Sequence, residues 1–250
     1  GAIFVQGILG IDDSGLMLPV IMIVLLVLVL LYTILGGMIS VIITDYIQFV
    51  VLSIGLMLSV FFSIYHLGWS EIFTSLEGLM GGSDSIYDPI KSKGGFYISW
   101  QLVLGFVSAV VWPTAITRAL SLDSPETVRK QYIWSSVSFL IRFMIPCFLG
   151  ICAFVYYGGE VENSLIIMPR YLSEILPMGV LGIMAAAMLA AFMSTHDSYL
   201  LCWSSVITQD IIAPLKKNNL TQESRIKWVR ILIILIGIYI LYWGLFYKGS

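Results

Sequence analysis

Apolar residues come in long blocks along this chain and do not alternate with polar ones. The blocks run to about 20 residues, the length that crosses the hydrocarbon core of a bilayer as a helix. Six spans are predicted, at about 16–38, 46–66, 98–120, 132–157, 178–212 and 229–247. Residues 1–10 read as the tail of a further helix. The block at 178–212 is too long for one straight crossing. Between the second and third spans, residues 68–97 carry a Gly- and Ser-rich stretch (GLMGGSDS) that is polar enough to lie outside a membrane. A transmembrane barrel would show short alternating segments in place of these blocks. The pattern is that of an all-α polytopic membrane protein, with residues 1–250 forming a single transmembrane domain.

Composition supports that class. The chain is 59% hydrophobic and 11% charged, against about 25% charged in soluble domains. The net charge of -2 comes without a basic stretch, so nothing suggests nucleic acid as a partner. Cys147, Cys152 and Cys202 fall inside apolar runs and read as free thiols. The chain opens on Gly1, in an apolar segment and without Met, as expected for a piece of a longer polypeptide. Lys and Arg in the connections set orientation. The connections 38–45, 121–131 and 213–228 share one side, with Arg118, Arg129, Lys130, Lys216, Lys217, Arg225, Lys227 and Arg230. The other side has Lys91, Lys93, Arg170 and Lys248 among many acids. The first side is therefore expected to be cytoplasmic.

Charges within spans are costly and point to function. Asp45, Arg142 and Asp197 are the candidates. On a helix, Ala191, Ser194, Thr195, Ser198, Cys202 and Ser205 share a stripe about 100° wide. Asp197 borders that stripe, whereas His196 points nearly the other way. Small and hydroxyl residues of this kind let helices pack closely. They also offer oxygen ligands to a hard cation, as calcium and magnesium sites do. Ser194 and Thr195 supply two hydroxyls, and the Ala191 carbonyl keeps a second lone pair free. Both readings stay open on these residues alone.

Asp197 could orient Ser194, bind a proton or second cation, or pair with Arg142. Thr44 or Asp45 could cap the next helix, or Asp45 could draw cations at a cytoplasmic mouth. Arg142, some ten residues into its span, is either in a structural ion pair or anchors an anionic solute group. His196 and His66 have no partners of metal-site spacing, and no metal other than sodium is expected.

The motifs YTILGGMISVIITDYIQ (32–48), ITRALSLDSPETVRK (116–130) and LAAFMSTHDSYLLCWSSVITQDI (189–211) resemble those of the sodium:solute symporter family. The last two are similar to the proline permease branch, in which a Pro likewise precedes the helix-end Arg, here Pro113 and Arg118. The resemblance implies part of a leucine-transporter-type fold of two inverted repeats, about the end of core helix 3 to core helix 9. It places Ala191, Ser194 and Thr195 on sodium-binding positions and Asp45 on an acid associated with sodium coupling and release; Asp197 is a coupling candidate from its place in the span. It places the third span on the helix whose middle lines the solute cavity, where Ser108, Ala109 and Trp112 are the candidates; Arg142 is a further candidate from its own place in the fourth span. Sugar-transporting members carry Asn and Tyr where this chain has small residues, which counts against a sugar.

What the resemblance implies is a sodium-coupled transporter of a small polar solute, working by alternating access in the plasma membrane (the inner membrane if bacterial). Its partners are the solute, sodium and the lipid bilayer, and it has no cofactor. N-terminal helices that precede this segment in the family would complete the site. The alternative is a sodium- or solute-sensing membrane module that signals to an attached domain. An enzyme is not expected, since His196 and Asp197 point about 100° apart and no nucleophile–base set accompanies them.

Overall fold

The computed structural model describes residues 2–10, 17–79, 88–160, 163–217 and 219–246. Residues 80–87, which include most of the expected Gly- and Ser-rich stretch, lie outside the described residues, as do 16 and 247 at the expected span ends. Helices account for the regular structure among the described residues: α1 (Ala2–Leu9), α2 (Met17–Leu67), α3 (Trp69–Leu79), α4 (Pro89–Lys93), α5 (Gly95–Val111), α6 (Pro113–Leu120), α7 (Pro125–Tyr156), α8 (Ile167–Ile175), α9 (Met178–Val206), α10 (Ala213–Leu215) and α11 (Gln222–Phe246). A π-helical segment, Ile207–Ile212, carries α9 on into α10. The fold class is the one the blocks predict.

A straight 51-residue helix would run about 75 Å, far beyond a bilayer core of about 30 Å. α2 instead breaks at Gly37, where φ is 59° and ψ is -157°. That conformation is essentially restricted to glycine. Val29 and Val41 then join one buried cluster with Leu200, Leu201 and Ile233. In a straight helix those two valines would stand about 18 Å apart, so the chain reverses at Gly37.

The expected connection at 38–45 is therefore helical. Its sequence, MISVIITD, holds no breaker, and the whole turn is made by the Gly36–Gly37 pair. Thr44 donates its hydroxyl to the carbonyls of Ser40 (2.9 Å) and Val41 (3.0 Å). Neither Thr44 nor Asp45 is a cap: both sit inside the second arm. Asp45 lies about 12 Å along the helix from the turn.

Two other segments depart from the expected spans. The 98–120 block is broken at Trp112 (φ -68°, ψ 109°), and α5 and α6 meet there at a bend of 41°. Pro113 explains the break, because a residue before proline is pushed out of the helical region. α7 begins at Pro125, within the expected 121–131 connection. Ser124 caps it by accepting from the Thr127 amide, and Pro125 occupies the first turn. Apolar blocks mark where a helix crosses lipid, while caps mark where the helix itself begins.

The described helices gather into two compact units, Gly1–Met57 with Pro177–Ser250, and Leu58–Leu176. In the first, α9 packs on α11 and α1, around the cluster named above. In the second, α7 packs against α3 and α8. Ile72, Leu149, Cys152, Tyr171 and Leu172 are buried there, with Trp69 stacked on Phe148 at 5.8 Å between ring centres.

A candidate cation site on the hydroxyl stripe of α9

The stripe converges on one backbone oxygen. Ser194 donates its hydroxyl to the Ala191 carbonyl at 3.1 Å, and Thr195 donates to the same carbonyl at 2.9 Å. Hydroxyls bonding back in this way are common in apolar helices, because they satisfy a donor that lipid cannot. The result is three oxygens on one side of α9. Ser194 is partly buried and Thr195 exposed. A hydroxyl proton is free to rotate. Turned outward from a cation, both hydroxyls and the carbonyl would present lone pairs to it. Three oxygens are at most half of the six to eight ligands a hard cation of calcium's kind takes, so another segment must supply the rest.

Asp197 lies one face over and is wholly buried. Its Oδ2 accepts a short hydrogen bond from the Tyr32 hydroxyl. Its Oδ1 is 3.1 Å from the Ser198 hydroxyl. Each of these donors has a second acceptor within reach. The Tyr32 hydroxyl is 3.2 Å from the Met193 carbonyl, and the Ser198 hydroxyl is 2.7 Å from the Ser194 carbonyl. Asp45 lies close enough for its charge to act on both Tyr32 and Asp197, and Gln48 reaches the same phenol. The Gly37 reversal makes this possible by returning the second arm of α2 alongside the first. Tyr32 and Gln48 are the polar partners that reading the sequence alone missed. They stand inside the YTILGG…TDYIQ motif on either side of its glycine pair, and a turn placed at that pair would have brought them together.

His196 has a local role. Its Nδ1 donates to the Phe192 carbonyl at 2.9 Å, and its ring lies 4.0 Å from that of Phe192. The partners of Asp197 described above are hydroxyls, where the sequence had left open a pairing with Arg142.

The remaining candidates belong to the other compact unit. Ser108 and Ala109 lie in the last turn of α5, and Trp112 occupies the break. Pro113 has no N–H, so the Ala109 carbonyl loses its helical donor. A broken apolar span thus offers backbone oxygen, which within a membrane is tolerated where it is buried in protein or lines a cavity. Arg142 is half-buried in the middle of α7.

Long apolar helices, broken at Gly37 and at Trp112, and polar oxygens gathered inside a span define a polytopic membrane protein built around internal polar sites. The sodium:solute symporter family model matches residues 1–248, and the chain belongs to that family. Its members are transporters, not enzymes. The chain is 28% identical to sodium/glucose cotransporter 1 of Oryctolagus cuniculus, over 95% of this chain and 41% of that protein. It is 29% identical to the sodium/sialic acid symporter SiaT of Proteus mirabilis, over 88% of this chain and 47% of that protein. It is 26% identical to the sodium/pantothenate symporter of Haemophilus influenzae, over 82% of this chain and 43% of that protein. The chain thus spans less than half the length of these relatives. Similarity reaches well beyond the proline-permease-like motifs.

Proposed function

We propose that this chain is part of a secondary active transporter that couples inward sodium flow to uptake of a small polar solute by alternating access. The observation that carries the reading is the convergence of the Ser194 and Thr195 hydroxyls on the Ala191 carbonyl. These three oxygens are the α9 share of the sodium shell, with the remainder supplied by helices of the full transporter. Asp197 and Asp45 form the acidic path for sodium coupling and release. Ser108, Ala109, Trp112 and Arg142 serve the solute, with the freed Ala109 carbonyl a natural hydrogen-bond acceptor. Relatives named for coupling sodium to glucose, sialic acid and pantothenate support sodium as the coupling ion. The two inverted repeats of the family fold would rock around these sites. The side rich in Lys and Arg, with 121–131 and 213–228, faces the cytoplasm of a cell whose plasma membrane, or bacterial inner membrane, holds the protein. Sodium occupancy favours the outward-facing state, and the solute binds that state better, so each ligand stabilises the other.

The test is solute uptake by the full-length protein in proteoliposomes, titrated with sodium. Losing one oxygen that contacts a charge removes about 1.5–3 kcal/mol. Thr195→Ala and Ser194→Ala should each raise the half-activating sodium concentration by roughly tenfold or more. Sodium dependence that is unchanged in both variants would sink the reading.

A further inference from the structure

We propose that Tyr32 is a positioning residue that competes with the coupling cation for Asp197 and swings its hydrogen bond to the Met193 carbonyl when the cation arrives. The inference rests on the reading of α9 as a sodium-binding helix, and adds to it a residue from α2.

The phenol has one proton and two acceptors, Asp197 Oδ2 and the Met193 carbonyl at 3.2 Å. It can serve one fully at a time. In the described structure the carboxylate holds it, as a charged acceptor should against a neutral one. Ser198 repeats the arrangement on the other oxygen, with the Ser194 carbonyl at 2.7 Å as its alternative. Breaking a buried hydrogen bond is costly mainly because a donor is stranded. Here neither donor would be. Both protons can turn to carbonyls of α9 itself, freeing the carboxylate to face a cation. No bond other than hydrogen bonds changes, and no proton leaves the protein.

The placement also explains why the donor comes from α2. Asp197 is wholly buried, and a buried carboxylate with empty surroundings would be expensive. Tyr32 satisfies it while no cation is present. After the exchange the phenol still binds α9, through Met193, so the tie between the two helices survives. The same residue thus keeps Asp197 in place and weakens the cation's hold on it, which suits a site that must release its ion. Asp45 and Gln48, on the returning arm of α2, face the same phenol.

Tyr32→Phe in the full-length protein removes one oxygen and keeps the ring. In proteoliposomes at fixed pH, the half-activating sodium concentration should fall about threefold or more, because the competitor is gone. The solute KM at saturating sodium should hold. On an Asp197→Asn background, Tyr32→Phe should have no further effect. Where that background is too slow to assay, the same cycle is read from the sodium concentration that half-protects purified protein against heating. An unchanged or raised half-activating concentration overturns the proposal, as does an equal shift on both backgrounds, which is what a merely structural tyrosine would give. Ser194→Ala and Thr195→Ala serve as controls. If they leave sodium activation untouched, the sodium-site reading itself has failed. If they weaken it and Tyr32→Phe does not strengthen it, only the role of Tyr32 is lost.

Discussion

Gly37→Ala tests the reversal on which the polar cluster depends. At Gly37, φ is 59° and ψ is -157°. A Cβ built there would meet no heavy atom within 4 Å. The cost of alanine is therefore conformational and not steric, about 1–3 kcal/mol for holding a side-chain-bearing residue in this region. Gly36 differs: a Cβ there would lie 2.1 Å from the Cβ of Ser40, so alanine at that position mixes two causes. At roughly 2–4 °C per kcal/mol for a domain of this size, Gly37→Ala should lower the midpoint of thermal unfolding by about 2–12 °C. Gly78→Ala is the control. Gly78 lies in α3, has open space around its Cβ and no positive φ, so alanine there should be neutral or slightly stabilising. The assay is the fraction of purified full-length protein that survives heating in detergent, read by size exclusion. If Gly37→Ala survives as well as Gly78→Ala, the chain does not turn through that conformation. The convergence of Tyr32, Asp45 and Gln48 would then have to be rebuilt.

Two further substitutions probe packing and capping. A Cβ at Gly55 would lie 2.7 Å from the Cβ of Ala187. Neither atom is a flexible end, so Gly55→Ala should force α2 and α9 apart and cost about 1–3 kcal/mol. Adding Ala187→Gly should restore most of the lost thermal stability, and a failure to do so would refute the close approach. Ser124→Ala removes the side-chain acceptor of the Thr127 amide and should cost about 1 kcal/mol. Hydrogen exchange at that amide should speed up, whereas Ser124→Asp should keep it slow.

How far the sequence carried the structure depended on what each signal measures. Apolar blocks report residence in lipid. They placed α5 to α7, α9 and α11 near their observed positions, yet missed the first turns of α7, because Pro125–Lys130 is polar and helical at once. They also ran 98–120 together as one span, although Pro113 removes a donor and ends α5. Helical geometry within α9 put Ser194 and Thr195 on one stripe and His196 elsewhere, because register inside one helix needs only the angle per residue. The convergence of both hydroxyls on Ala191 follows from the same spacing.

Contacts across a turn are another matter, because they depend on where the turn falls. Reading 38–45 as a loop made Asp45 a cap at a cytoplasmic mouth. The glycine pair makes the turn in two residues, and that shift carries Asp45 about 12 Å along the helix. It then stands near Tyr32 and Asp197. With 38–45 as a connection, Tyr32 is an ordinary aromatic in an apolar span. Once the turn is at Gly37, Tyr32 lies about 7.5 Å back along one arm and Asp45 about 12 Å along the other. The phenol then reaches a buried carboxylate on α9 as a neutral donor. A lysine or arginine at position 32 would instead fix a permanent positive charge beside Asp197, competing with any cation at every moment of the cycle. A hydroxyl can let go.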